Sequence, residues 1–274
     1  ETEGKHYYVS ALYHSSHWGF LVDITRELHA RGNQITFQFP KEYINTTELP
    51  APHLIEFANV LYSPIGFGPE DMEKTCKEMT EISISDTFSI ISTIFSFMIK
   101  VNKGYHETFH FILDQVNNGT KIDVLLGDPS IATMALNAVL RNKGTKGIST
   151  SPFILRNPEV EFLYLGKGGL PSWMPANSKG KGIANSLIER IQQQFDVGIN
   201  SAITNLFLNL VAWDFGNLVE DNGGKYSDLF LQHPTIINSF QGFDWNIPLP
   251  PHVRFIGPVN LEKIETIRDE YLER

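Results

Sequence analysis

The histidine at position 17 is the residue in this chain best placed to do acid–base chemistry. It lies in the segment Tyr13 to Gly19, between an apolar run at Tyr7 to Leu12 and an amphipathic run at Phe20 to Ala30. The first run is typical of a buried strand, and the second places apolar residues at helical spacing. In open α/β sheets, ligands bind at the carboxyl ends of the strands, where His17 is expected to lie. Because an imidazole exchanges protons near neutral pH, His17 is a candidate general base.

The sequence leaves other interpretations of this histidine open. A single histidine between a strand and a helix is often a solvated or capping residue rather than a base. His14 also offers a second imidazole three residues away. A partner group is therefore needed to distinguish His17.

Asp128 is the candidate partner. It directly follows the apolar run Ile122 to Gly127, a predicted parallel strand. Because parallel strands end at the same edge of a sheet, Asp128 and His17 are expected to be neighbours. A carboxylate that accepts a hydrogen bond from one imidazole nitrogen fixes the tautomer and stabilises the imidazolium. The alternative is that Asp128 caps the helix that follows, with Pro129 in its first turn.

The elements that must position these two residues alternate along the chain. We predict strands at 5–12, 33–39, 60–62, 122–127, 146–149, 235–238 and 253–257, and helices at 18–31, 70–82, 84–100, 104–117, after 130 and at about 184–213. Strands that alternate with helices predict an α/β fold with a Rossmann-like, doubly wound parallel sheet.

The helix at 84–100 is predicted to border a ligand pocket. It belongs to the most apolar long window of the chain, yet that window holds Asp86 and several serines, which argues against a membrane span. Small-molecule sites combine apolar walls with a few polar groups. The alternative is that the phenylalanines of this helix are ordinary core residues. The predicted walls of the pocket are Trp18, Phe88, Ile91, Phe95 and Phe153.

Composition excludes several classes of function. The net charge is −9, and no cluster of lysine and arginine with interleaved aromatics occurs, so nucleic acid is not an expected partner. The single cysteine, Cys76, excludes a disulfide framework and a cysteine-based metal site. No Asp-x-Asp sequence is present, so neither a metal nor another cofactor is expected in this chain.

Two Asn-x-Thr sequons indicate a secretory route, although such sequons also occur by chance. They begin at Asn45 and Asn118, both in polar segments typical of loops. Both asparagines are glycosylation candidates, and the expected location is the secretory pathway or the lumen of the endoplasmic reticulum.

Several short motifs follow one another along the chain. It opens with Ser16-His17-Trp18 and then Arg26 to Asn33, and a later strand ends in Asp128. Further motifs are Ser151-Pro152-Phe153 with Leu170 to Pro175, and Thr235 to Phe240 followed by Pro248 to Pro251 and Val253 to Pro258. In this order they resemble the UDP-glycosyltransferases of family 1, which have the GT-B fold.

The resemblance implies the N-terminal, acceptor-binding half of such an enzyme. His17 would be the general base and Asp128 its partner, acting on a small lipophilic acceptor with a hydroxyl group, such as a phenol, a flavonoid or a sterol-like molecule. Residues 1–258 would form this domain and 259–274 would begin the inter-domain linker. The segment that holds the UDP-sugar in this family is not found, so the donor would bind a missing C-terminal domain. That domain would also carry any membrane anchor. This chain alone would be inactive. The alternative is a non-catalytic module that binds an apolar small molecule.

Overall fold

A computed structural model describes eleven segments and one single residue of the chain, and the fold given below is the fold of those residues. They are 4–10, 15–43, 54–64, 70–71, 73–74, 77–78, 87–128, 131–151, 188, 213–230, 233–238 and 251–257. They fall into two compact units. The described residues up to 128 and residues 144–146 form the first unit, and those in 131–143 and 147–257 form the second.

The first unit holds four parallel strands in the order β3-β2-β1-β4. Two long helices and a short 3-10 turn at Lys41–Tyr43 accompany them. In chain order the elements are β1 (His6–Ser10), α1 (Ser15–Ala30), β2 (Gln34–Pro40), β3 (Asn59–Ser63), α2 (Thr87–Asn117) and β4 (Val124–Gly127). Leucine, valine and phenylalanine side chains of β1, β2 and β4 are almost fully buried, as expected for a parallel sheet covered on both faces, whereas those of β3 are partly exposed.

The second unit is built around the parallel pairs β5–β6 and β6–β7. Helix α3 packs on a 3-10 turn at Tyr226–Phe230, and residues 213–221 are also helical. The elements are α3 (Ile131–Arg141), β5 (Lys146–Ser151), β6 (Thr235–Ile237) and β7 (Val253–Phe255), and Lys146 itself groups with the first unit.

The strands confirm the predicted fold class. The hydrogen-bonded order over the described residues is β3-β2-β1-β4-β5-β6-β7, a seven-stranded sheet. An order that runs outward in both directions from β1 and β4 is that of the doubly wound, Rossmann-like α/β fold.

The described helices differ from the prediction in two places. Helix α1 begins at Ser15, so His17 lies in its first turn rather than in a preceding loop. The two helices predicted at 84–100 and 104–117 are one helix of 31 residues. The gap predicted at 101–103 is helical, and Gly104, which directly follows it, is buried within the same helix although glycine has a helix propensity about 1 kcal/mol weaker than alanine. Most of the predicted helix at 184–213 lies outside the described residues.

A set of polar contacts ties β1 to the entry of β4 at the amino edge of the sheet. The backbone N–H of His6 donates to the Asp123 carboxylate at 2.9 Å, and Lys121 Nζ lies 3.1 Å from the same carboxylate. The hydrogen bond from His6 is the main cause that lowers the pKa of Asp123. Because the Lys121 carbonyl only accepts, His6 Nδ1 donates to it at 2.6 Å, which leaves Nε2 to accept from Thr36 Oγ1 at 2.8 Å.

The second unit contains buried polar side chains without a hydrogen-bond partner among the described residues. Asn137 on α3, Ser149 on β5 and His233 before β6 are 2%, 0% and 6% exposed. A Cβ atom added to Gly147 would overlap the amide of Asn137, so this glycine is needed for close packing of α3 on β5. Burial lowers the pKa of His233, and the positive charge of Arg141 lowers it further.

Candidate active site

The adjacent strands β1 and β4 end at the same level of the sheet. Ser10 is the last residue of β1 and is in register with Gly127, the last residue of β4. Asp128 directly follows Gly127, and the chain leaving Ser10 reaches α1 at Ser15. The structure therefore places the two segments that carry His17 and Asp128 at neighbouring strand ends, as the sequence predicts for a parallel sheet.

The backbone of His17 lies in the first turn of α1, two residues after the helix begins. Its side chain and the whole of His14 lie outside the described residues. A hydrogen bond between His17 and Asp128 therefore stays a prediction, as does the choice between His17 and His14.

The side chain of Asp128 is held inside the protein. It is 3% exposed, and it takes part in at least one polar or electrostatic interaction. A buried carboxylate is retained only when it is paired or hydrogen-bonded, because its desolvation is otherwise too costly. Residues 129–130, between Asp128 and the described start of α3 at Ile131, lie outside the described residues. The alternative that Asp128 caps this helix therefore stays open.

A buried hydrogen-bonded ladder of side chains crosses three strands just below this edge, and sequence reasoning missed it. Ser10 Oγ donates to Gln38 Oε1 at 3.3 Å, and Gln38 Nε2 donates to Ser63 Oγ at 2.9 Å. Ser10 is 9% exposed, Gln38 1% and Ser63 0%. The ladder joins the carboxyl ends of β1, β2 and β3, and it begins at the residue from which the chain leaves for His17. The signal in the sequence was a glutamine between two phenylalanines, Phe37 and Phe39, in an otherwise apolar strand.

Trp18, a predicted wall of the acceptor pocket, belongs to a buried aromatic cluster. It is 4% exposed and packs edge-on against Phe39, with ring centroids 5.6 Å apart. Phe39 in turn stacks on Phe37 and contacts Tyr43. The indole Nε1 is buried without a hydrogen-bond partner among the described residues. Its role in acceptor binding stays a prediction.

The other predicted pocket residues cannot be placed as walls. The side chains of Phe88, Ile91 and Phe95 lie outside the described residues, as does the whole of Phe153. Two side chains of the same half of α2 are described, Ser96 and Ile99, and both are exposed. Ile99 exposes 67% of its surface, a large fraction for an aliphatic side chain.

Helix α2 is much longer than the strands it accompanies. Its 31 residues span about 46 Å at ~1.5 Å per residue. The longest strand of the first unit has 7 residues, or about 23 Å at ~3.3 Å per residue. A short connection joins the C-terminal end of α2 to β4, and Phe109 and Ile112 of its C-terminal half are buried in the core.

The described residues hold no group of three or more histidine, cysteine, aspartate or glutamate side chains that could bind a metal ion. No described helix is long and apolar enough to cross a membrane.

The chain is similar in fold to several solved glycosyltransferase structures. The glycotransferase of kitacinnamycin matches 94% of this chain with 14% identity and a TM-score of 0.50, over 52% of its own length. A UDP-glucosyltransferase from Polygonum tinctorium matches 94% with 14% identity and a TM-score of 0.49, over 53% of its length. The calicheamicin glycosyltransferase CalG4 matches 94% with 11% identity and a TM-score of 0.46, over 53% of its length.

The likeness with a TM-score of 0.50 shows the fold alone, a Rossmann-like fold shared with about half of a glycosyltransferase. The chain spans about half the length of the glycosyltransferase structures it matches. No protein-family model matches the chain, and no curated protein matches it either.

Proposed function

We propose that this chain is the acceptor-binding half of an inverting UDP-glycosyltransferase. The observation that carries the proposal is that Asp128 and the first turn of α1, which contains His17, adjoin neighbouring strand ends at one edge of the sheet. A buried carboxylate beside a histidine-bearing helix turn is the arrangement that a general base and its orienting partner need. The fold shared with half of a glycosyltransferase supports this assignment.

In the proposed reaction, His17 takes the proton of an acceptor hydroxyl while the hydroxyl oxygen forms a bond to the anomeric carbon of the sugar. The bond between that carbon and the phosphate oxygen of UDP breaks, and UDP leaves with the bonding electron pair. A single attack opposite the leaving group inverts the anomeric centre. Asp128 accepts a hydrogen bond from the second imidazole nitrogen and stabilises the imidazolium. General-base assistance of this kind contributes ~10²–10⁴-fold in rate.

The proposal divides the two substrates between two domains. This chain binds the acceptor, a small lipophilic molecule with a hydroxyl group, and the UDP-sugar binds a C-terminal domain that is its partner in the complete protein. The acceptor enters beside the N-terminal half of α2, which exposes Ile99. Trp18, Phe88, Ile91, Phe95 and Phe153 are the proposed apolar walls.

Titration calorimetry and a transfer assay test the proposal together. The chain should bind a phenolic probe such as 1-naphthol and should show no binding heat with UDP. The complete protein, mixed with 1-naphthol and a panel of UDP-sugars, should release UDP and form one glycoside of inverted configuration. Binding of the phenol without any UDP release by the complete protein would instead favour the non-catalytic binding module. Tight UDP binding by this chain alone would contradict the division of substrates.

A further inference from the structure

The turn after helix α2 is the feature of the molecule that the transfer chemistry does not use. It contains the sequon Asn118-Gly119-Thr120. We propose that Asn118 carries an N-linked glycan in the mature protein, and that the chain is therefore made in the secretory pathway. This inference does not depend on the proposed acceptor site.

The backbone around Asn118 is fixed by a helix-ending turn. The N–H of Thr120 donates to the Gln115 carbonyl at 2.9 Å, and the N–H of Gly119 donates to the Val116 carbonyl at 3.1 Å. Gly119 has a φ of 97°, in the left-handed region that favours glycine. These contacts satisfy the last carbonyls of α2 with backbone donors alone. The Asn118 side chain is thus not required to cap the helix.

The side chain of Asn118 is open to solvent. Asn117, Asn118 and Gly119 are all exposed, and Thr120 is partly exposed. A glycan is bulky and strongly solvated, so it needs an asparagine on such a surface turn. The second sequon, at Asn45, lies outside the described residues.

The position of the turn keeps a glycan away from the candidate active site within the first unit. The turn leads into the amino end of β4, whereas Asp128 follows its carboxyl end. The four residues of β4 alone separate these two ends by about 13 Å at ~3.3 Å per residue. A glycan on Asn118 would therefore be attached at the edge of the sheet opposite to the one that carries Asp128 and α1.

The modification is a group transfer from a carbohydrate carried on a lipid diphosphate, catalysed by the oligosaccharyltransferase of the host cell. The amide nitrogen of Asn118 forms a bond to C1 of the oligosaccharide. The bond between C1 and the diphosphate oxygen breaks, the lipid diphosphate leaves with the electron pair, and the amide nitrogen loses one proton.

Glycopeptide mapping of the protein purified from the organism that makes it tests the proposal. Treatment with peptide N-glycosidase in heavy-oxygen water should convert Asn118 to a labelled aspartate. In secreted recombinant protein, Asn118→Gln and Thr120→Ala should each remove one glycan from the electrophoretic pattern. Thr120→Ser, the matched control, should keep that glycan, and all three variants should retain the thermal unfolding midpoint of the enzymatically deglycosylated wild type. An unmodified Asn118 in the native protein, or a pattern that Thr120→Ala leaves unchanged, would overturn the proposal.

Discussion

The buried ladder Ser10–Gln38–Ser63 provides a quantitative test of how the candidate active-site edge is held. Methionine has nearly the length and volume of glutamine but offers no amide, so Gln38→Met should remove both hydrogen bonds without opening a cavity. The hydroxyl of Ser10 then loses its acceptor and that of Ser63 loses its donor, in a region where both side chains are almost fully buried. A buried polar group left unsatisfied costs about 1–3 kcal/mol. Ser63 Oγ also lies 3.5 Å from the Phe39 carbonyl. We therefore place the free-energy cost of its lost hydrogen bond with Gln38 at the low end of that range.

The expected loss for Gln38→Met is therefore about 2–4 kcal/mol in the free energy of unfolding. Urea unfolding followed by tryptophan fluorescence measures it, with equal m-values in variant and wild type showing that the change is one of stability. Replacing all three members, as Ser10→Ala, Gln38→Met and Ser63→Ala together, removes the buried hydroxyls that lose a hydrogen bond and should recover much of the loss. A Gln38→Met loss below about 0.5 kcal/mol, the range typical of neutral surface changes, would refute the ladder.

Two further predictions concern the second unit. Gly147→Ala should lower the free energy of unfolding by about 1–3 kcal/mol, because the new methyl group overlaps the amide of Asn137, and adding Asn137→Ala should restore part of the loss in the same urea experiment. Stability should also fall as the pH drops below about 6.5, because the pKa of His233 is lowered in the folded state and the unfolded chain takes up the proton first. The contribution of neutral His233 to the free energy of unfolding is complete above that pH. It is lost as the pH falls through the pKa that His233 has in the folded protein. Between pH 7.5 and 5, the thermal unfolding midpoint of His233→Gln should depend less on pH than that of the wild type. An unchanged pH dependence would contradict the role given to His233.

Much of the fold could be predicted because the strands of a buried parallel sheet are apolar along their whole length. Val124 to Gly127 is such a run, and its bounds in the structure differ from the prediction by two residues. The position of Asp128 followed from the same run, since a residue after a parallel strand must lie at the carboxyl edge. The bounds of α1 were less predictable, because Ser15 and His17 carry no apolar periodicity that would place them in the helix.

Other features depended on contacts between residues distant in sequence. Residues 101–103 were predicted as a gap between two helices, but α2 continues through them and the adjoining Gly104 is buried. The ladder through Gln38 required the register between β1 and β2, in which Ser10 lies opposite Gln38, and composition alone does not fix a register. The contact between Trp18 and Phe39 depends in the same way on the packing of α1 on β2, and the predicted role of Trp18 as a pocket wall stays a prediction.

The turnover of the complete protein with and without the His17 imidazole tests the central claim most directly. With 1-naphthol and a saturating UDP-sugar, His17→Ala should lower kcat for UDP release by at least ~10²-fold, the usual loss when a general base is removed. The affinity for 1-naphthol, measured by calorimetry, should change little in His17→Ala. The matched control is His110→Ala, at an exposed residue of helix α2. This control variant should turn over at the wild-type rate. A His17→Ala protein that keeps near-normal kcat would contradict the assignment of His17 as the base and would direct attention to His14.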